Sequence, residues 1–194
     1  YPTGTNNVAL GNQALEAVEA GGIQNTAVGN QSLENVTTGD NNIGVGHRTL
    51  CTLTTGSCNV AVGKDALRTN TASSNTAIGQ EALVANTTGC RNSSFGSLSL
   101  DANTEGDTNV AVGYQSLSAN TTADNNTAVG SFALLANTTG TKNTSVGKSS
   151  LATNTTGTCN TALGVDALTN ATTASKNTAV GTSSLSTNTT GANN

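Results

Sequence analysis

The sequence predicts an all-β protein, a parallel β-solenoid or β-roll of about eleven 17-residue coils. Three observations predict it. A pattern of Asn-x-small-apolar-Gly, with Leu four residues after the Gly, recurs eleven times in the 194 residues. Each copy begins with a short alternating run containing β-branched residues, the signature of a strand. Each copy closes on turn chemistry such as Asn-Thr-Thr-Gly.

Composition narrows the class in the same direction. Only 9% of the chain is charged and 2% aromatic, so an ordinary globular core of large side chains is not expected. A single Pro and a net charge of −4 are unlike a disordered chain. No apolar run approaches the roughly 18 residues of a membrane span, and no charged-then-apolar leader opens the chain, so no membrane insertion is expected. The chain starts on Tyr1 rather than Met, which reads as a processed, trimmed or fragment chain.

The repeat is fixed by three columns. Its Gly stands at Gly11, Gly29, Gly46, Gly63, Gly79, Gly96, Gly113, Gly130, Gly147, Gly164 and Gly181, at spacings of 18, 17, 17 and 16 and then 17 six times. Four residues before each Gly is Asn: Asn7, Asn25, Asn42, Asn59, Asn75, Asn92, Asn109, Asn126, Asn143, Asn160 and Asn177. Four residues after each Gly is Leu: Leu15, Leu33, Leu50, Leu67, Leu83, Leu100, Leu117, Leu134, Leu151, Leu168 and Leu185. The copies fill residues 1–194 as one repeat solenoid and leave no room for a second domain.

Within a coil, the "NTAVG" segment reads as a short strand, and its Gly bends the chain. Two variable positions, such as Lys64-Asp65, Gln80-Glu81 and Tyr114-Gln115, read as solvent-facing. A small residue and the Leu then return to the interior, in an arc open to a strand or to one helical turn. The closing Asn-Thr-Thr-Gly is a turn. A meander of hairpins is disfavoured because the chain contains no Asn-Gly or Asp-Gly, the strongest two-residue hairpin signals. Stacked coils repeat at about 4.8 Å, so eleven give a rod of roughly 50 Å. An invariant Asn suits a ladder, because stacked amides hydrogen-bond along the axis.

The position three after Leu is Val18, Val36 and Leu53 in early coils, and Asn70, Asn86, Asn103, Asn120, Asn137, Asn154 and Asn188 later. Such an exchange predicts a partly buried site where Asn pairs. The resulting core is thin, and side-by-side association of rods, most simply as a trimer, is the expected source of further burial. Residues 1–7 and 188–194 share the closing phase of the repeat, and Asn7 to Asn194 spans eleven times 17 residues. This predicts head-to-tail stacking into a filament, or an integral slice of a longer fibre.

The pattern "NTAVGxxALxxNTTGxx" resembles repeats in the shafts of phage tail-fibre-like proteins and bacterial surface proteins. Its "NTA[VI]G" core is similar to the head repeat of trimeric autotransporter adhesins, whose coils are shorter than 17 residues. The resemblance covers Asn7 to Asn194 and implies a left-handed parallel β-roll, three-fold packing, and a role as a spacer or display surface.

Residues with chemical potential are few. His47 is the only histidine, and its equivalents Asn12, Asn30, Lys64 and Gln80 mark a variable surface position rather than a catalytic or metal site. Asp65 and Glu81 share a phase on adjacent coils, and two solvated acids are a simpler reading than a glycosidase pair. The acidic residues follow no calcium-repeat spacing. Gly44-Val45-Gly46 leads into no phosphate-loop Lys, and the seven basic residues form no nucleic-acid footprint. No catalytic residue, cofactor or metal is therefore assigned. Among the four cysteines only Cys51 and Cys58 are a plausible disulfide within the chain; Cys90 and Cys159 are either small buried residues or cross-links between chains.

Eleven Asn-x-Ser/Thr sequons, among them Asn86, Asn120, Asn137, Asn154 and Asn188, arise automatically in an Asn- and Thr-rich repeat. Regular Thr arrays order water, which raises ice binding, but adjacent Thr residues in a turn point to different sides, whereas a flat array needs alternate residues of a strand. The function expected is a structural fibre or filament subunit, not an enzyme, outside the cell or on a virion, with itself as partner. The alternative is an adhesin or receptor-binding shaft contacting a host glycan or protein.

Overall fold

The computed structural model describes residues 4–19 and 21–194. Eleven strands of three residues each follow one another: β1 Val8–Leu10, β2 Thr26–Val28, β3 Ile43–Val45, β4 Val60–Val62, β5 Thr76–Ile78, β6 Ser93–Phe95, β7 Val110–Val112, β8 Thr127–Val129, β9 Thr144–Val146, β10 Thr161–Leu163 and β11 Thr178–Val180. They form one parallel sheet in chain order. Each strand pairs with the next at the same repeat phase, Ala111 with Ala128 and Val112 with Val129, for example. The 18-residue first coil and the 16-residue fourth coil absorb their irregularity outside the strands, so Val60 still pairs with Thr76 and Ala61 with Ala77. The coil carrying each strand takes that strand's number below.

Alternation within the strand sends its middle residue inward. Ala27, Ala61, Ala77, Ala111, Ala128 and Ala162 are wholly buried, while the residues on either side face out. The Leu column fills the opposite side of the interior: from Leu15 to Leu168 it is buried, and only Leu185, in the last coil, is exposed. Small residues just before each Leu complete the layer, Ala66, Ala82, Ala133 and Ala167 among them. Two of these small columns change together. Where the strand residue becomes Ser94 or Ser145, the facing residue is Ser99 or Ser150, and each pair of hydroxyls hydrogen-bonds inside the core.

The arc after the Gly is neither strand nor helix, and no helix occurs among the described residues. It is an irregular turn held by left-handed residues. The Gly column has φ between +119° and +142°. A Cβ on Gly130 would lie 2.6 Å from the carbonyl carbon and oxygen of Gly147 in the next coil, so the bend needs Gly for its angle and for its close approach. Two residues later in each coil, a side-chain-bearing residue has φ between +53° and +62°, and the Leu itself lies between +49° and +54°. A third left-handed residue, directly before the Asn, closes the coil. β-Branched residues fit this conformation poorly, and Thr108 is the only one among all these positions. The column is therefore Leu, never Val or Ile.

Hydrogen bonding runs from coil to coil. The side-chain oxygen of each column Asn accepts the backbone N–H of the Asn in the following coil, as from Asn126 to Asn109 at 2.9 Å. Its amide nitrogen crosses the coil to a carbonyl, from Asn126 to Gly140 at 2.8 Å. A second ladder occupies the position three after Leu: Asn86 donates to Asn70, Asn103 to Asn86, Asn120 to Asn103, Asn137 to Asn120 and Asn154 to Asn137, at 2.6 to 3.1 Å. These side chains are completely buried. Pairing is what makes Asn equivalent to Val36 or Leu53 there.

Candidate functional surfaces

The three predicted columns are interior. Asn25 to Asn177 and Leu15 to Leu168 are buried, and the Gly column lies at a corner of the coil. They build the scaffold and offer nothing to a ligand. Among the described residues the surface has no ligand-sized pocket and no cluster of three or more His, Cys, Asp or Glu side chains.

Burial also removes the Asn-Thr-Thr glycosylation matches of the middle coils from the surface. Asn86, Asn120, Asn137 and Asn154 are wholly buried and hydrogen-bonded within the second ladder. The first Thr of most closing turns is likewise committed: the hydroxyl of Thr138 donates to the carbonyl of Thr155, and that of Thr155 to Thr172. These hydroxyls tie coils together, while the second Thr of the turn, such as Thr122, Thr139, Thr156 and Thr173 on successive coils, is exposed.

The pairing of Asp65 is with bases, not with Glu81. Its side chain is almost fully buried and receives Arg48 Nε at 2.8 Å, with Lys64 Nζ at 3.5 Å. Burial by itself raises the Asp65 carboxyl, but the Arg48 hydrogen bond and the charges of Arg48, Lys64 and Arg68 outweigh it and hold the group below the usual carboxylate range. The solvated pair expected from the sequence is thus a buried carboxylate beneath a basic cover. His47 is exposed, as its column predicts.

All four cysteines are free thiols. No bond joins Cys51 to Cys58, because the Cys51 thiol donates instead to Glu34 Oε2, 3.3 Å away on the preceding coil. Burial, then the hydrogen bond and charge of Glu34, push Cys51 up to about 11. Cys58 and Cys159 are exposed at the left-handed position before the Asn. Cys90 lies in a third polar column, where its backbone N–H donates to Asp107 Oδ1 and that of Asp107 to Asp124 Oδ1, both at 2.7 Å.

What the sequence reading missed is the outer face of the sheet. Two rows of side chains point away from the core, one from the first residue of every strand and one from the third. The third-residue row is apolar throughout, from Leu10 through Val62, Phe95 and Val129 to Val180. Phe95 is 39% exposed and Leu163 is 47% exposed, so the row is an open stripe along the rod. Alternation alone was the available signal: Ala inward forces Val outward. Beside the stripe runs the variable column after the Gly, exposed at His47, Lys64, Gln80, Tyr114 and Lys148. Tyr114 packs edge-on against Phe132 of the next coil, with ring centroids 5.5 Å apart.

No family model, curated protein or solved structure matches the chain.

Proposed function

We propose that this chain is a structural shaft: a stretch of fibre, outside a cell or on a virion surface, whose purpose is length and stiffness, grown by coil stacking on coil. One observation carries it. Every ladder, whether Asn, Leu, Ala or Thr, makes its contacts within its own coil and with the coil before and the coil after, so length is set by coil number. A heterologous contact that repeats without closing extends indefinitely, and the same contact between copies makes a filament. Asn194 fits this pattern, since its backbone N–H and side-chain amide both donate to Asn177 Oδ1 as the start of a further rung.

The adhesin reading draws on the variable column. Its residues vary along the rod, Asn30, His47, Lys64, Gln80, Ser97 and Tyr114 in succession, while the interior columns barely change. A shaft of this kind displays a different side chain at each level at no cost to its core, and a host glycan or protein is the partner such a column would meet.

The test is a double-length chain in which Val8 of a second copy follows Asn194 of the first, keeping the phase of the repeat. Small-angle scattering should give a straight rod of roughly 100 Å, melting in one transition. A bent particle or two separate transitions at the junction would overturn the stacking. Immunogold labelling of intact cells or virions of the source should decorate surface fibres; label confined to the cell interior would overturn the placement.

A further inference from the structure

The sheet's two outward rows hold eleven residues each, and none of these residues is charged, an amide or a histidine. The seven basic and eleven acidic residues all lie in other columns. A strand face open to water ordinarily carries such groups on its outward alternation, so their exclusion from this one needs a cause of its own. Six Thr and one Ser stand in the first-residue row beside the aliphatic third-residue row. The face therefore suits a partner that carries no charge and accepts hydroxyls next to methyls.

From β8 to β11 the face becomes a regular array. Its first row reads Thr127, Thr144, Thr161 and Thr178 and its third Val129, Val146, Leu163 and Val180, with the strands paired at one phase throughout. Earlier strands lack this regularity, because Ile43, Val60 and Val110 interrupt the Thr row and Phe95 stands in the other. Strand geometry sets two spacings, about 4.8 Å from coil to coil and about 6.7 Å from the first to the third residue of a strand. Thr and Val branch at Cβ, which restricts χ1, so the array holds its shape before any partner arrives.

The hydroxyls of this array are free. Thr144, Thr161 and Thr178 are exposed and Thr127 is half-buried. The turn hydroxyls of Thr138 and Thr155 donate to carbonyls of the next coil, whereas no hydrogen bond within the described residues takes up these four. Each hydroxyl can anchor a water molecule, and the methyls restrict the orientation of neighbouring waters without bonding to them. Water over the array is thus held in rows at the two strand spacings, which lie close to the repeats of water oxygens on the planes of ice. Ice is neutral, repeats in two directions and bonds hydroxyls. Adjacent Thr residues of the turns diverge, but the sheet supplies alternate residues of a strand, the arrangement a planar array requires.

We infer that the outer face of β8–β11 is an ice-binding surface, in which the row from Thr127 to Thr178 anchors the first lattice water and the row from Val129 to Val180 orders the water between. It acts from one face of a single rod, so it rests on neither the length nor the placement of the proposed shaft. The full chain, held against slowly growing ice, should concentrate in the ice and open a measurable gap between its melting and freezing temperatures. Thr161→Lys should shrink that gap at least tenfold and leave the protein in the liquid. Its circular dichroism and melting should be retained, because the residue faces outward. Thr144→Lys, one level away, should do the same. Thr156→Lys, in the exposed row of the turns, should leave the gap unchanged, which a general effect of added charge would not. Rejection of the unaltered chain by growing ice, a folded Thr161→Lys or Thr144→Lys variant with full activity, or an equal loss in Thr156→Lys would each overturn the assignment.

Discussion

Leu134 shows how one residue answers two demands. It fills the core, which Ile would do equally well, but at φ +52° it needs a side chain without a branch at Cβ. Leu134→Ile should therefore cost about 1 to 3 kcal/mol in denaturant unfolding, while Leu134→Met should cost less than about 1.5 kcal/mol. Equal losses would mean that volume, not backbone, selects Leu. Gly130→Val should cost at least as much as Leu134→Ile, since it adds an overlap with Gly147 to an unfavourable angle, and Ser131→Lys beside it should be near neutral. The Gly requirement was legible in the sequence because Gly never varied there. The handedness of Leu was not, because an invariant Leu looks the same whether burial or backbone demands it. The absence of Val and Ile from all eleven positions of the column was the overlooked clue.

At the scale of one ladder, the second Asn column ends badly. Asn154 Oδ1 is buried without a hydrogen-bond partner, because the next residue in the column is Ala171. A buried acceptor left unpaired costs on the order of 1 to 3 kcal/mol. Ala171→Asn should supply the missing donor and raise the denaturation midpoint; an unchanged or lower midpoint would show that the site lacks room for the amide. The exchange of Asn for Val predicted a partly buried column in which Asn pairs; the pairing is there, and the side chains from Asn70 to Asn154 are wholly buried. Its ends were not foreseeable, since whether a ladder tolerates an interruption depends on atoms and not on the repeat. Cys51 offers a second measurement on the coil 2 to coil 3 contact. Its thiol is raised to about 11 in the folded chain against 9.0 for the ordinary group. The unfolded chain then ionises first, so stability is fully present below pH 9.0 and falls as pH rises toward about 11. Cys51→Ser should flatten that alkaline loss, and alkylation at pH 8 should reach the exposed Cys58 and Cys159 well before Cys51.

Across the whole molecule, the repeat period, the number of coils, the parallel stacking and the identity of the interior columns were readable from spacing alone. The sheet's outward stripe was not, because alternation sets Ala and Val on opposite sides of the strand without saying which side is the interior. Acid stability tests a contact that spans coils. The depressed Asp65 carboxyl contributes stability that is present above about pH 4 and is lost as pH falls through its lower folded value. Asp65→Asn should remove part of that acid dependence and lower stability at neutral pH, where it leaves Arg48 without its partner.

The coil-to-coil direction of the hydrogen bonds has a mechanical meaning. Held at its two ends and pulled, the rod loads those bonds along their own length, one rung at a time, so it should open like a zip instead of shearing as a block. Each freed coil pays out 17 residues of chain, about 50 Å beyond the rung it occupied. Single-molecule extension should record a train of evenly spaced, low-force events, and a lone high-force rupture would contradict it. A fibre made this way yields gradually under tension, absorbing work coil by coil, and rewinds from whatever coils remain.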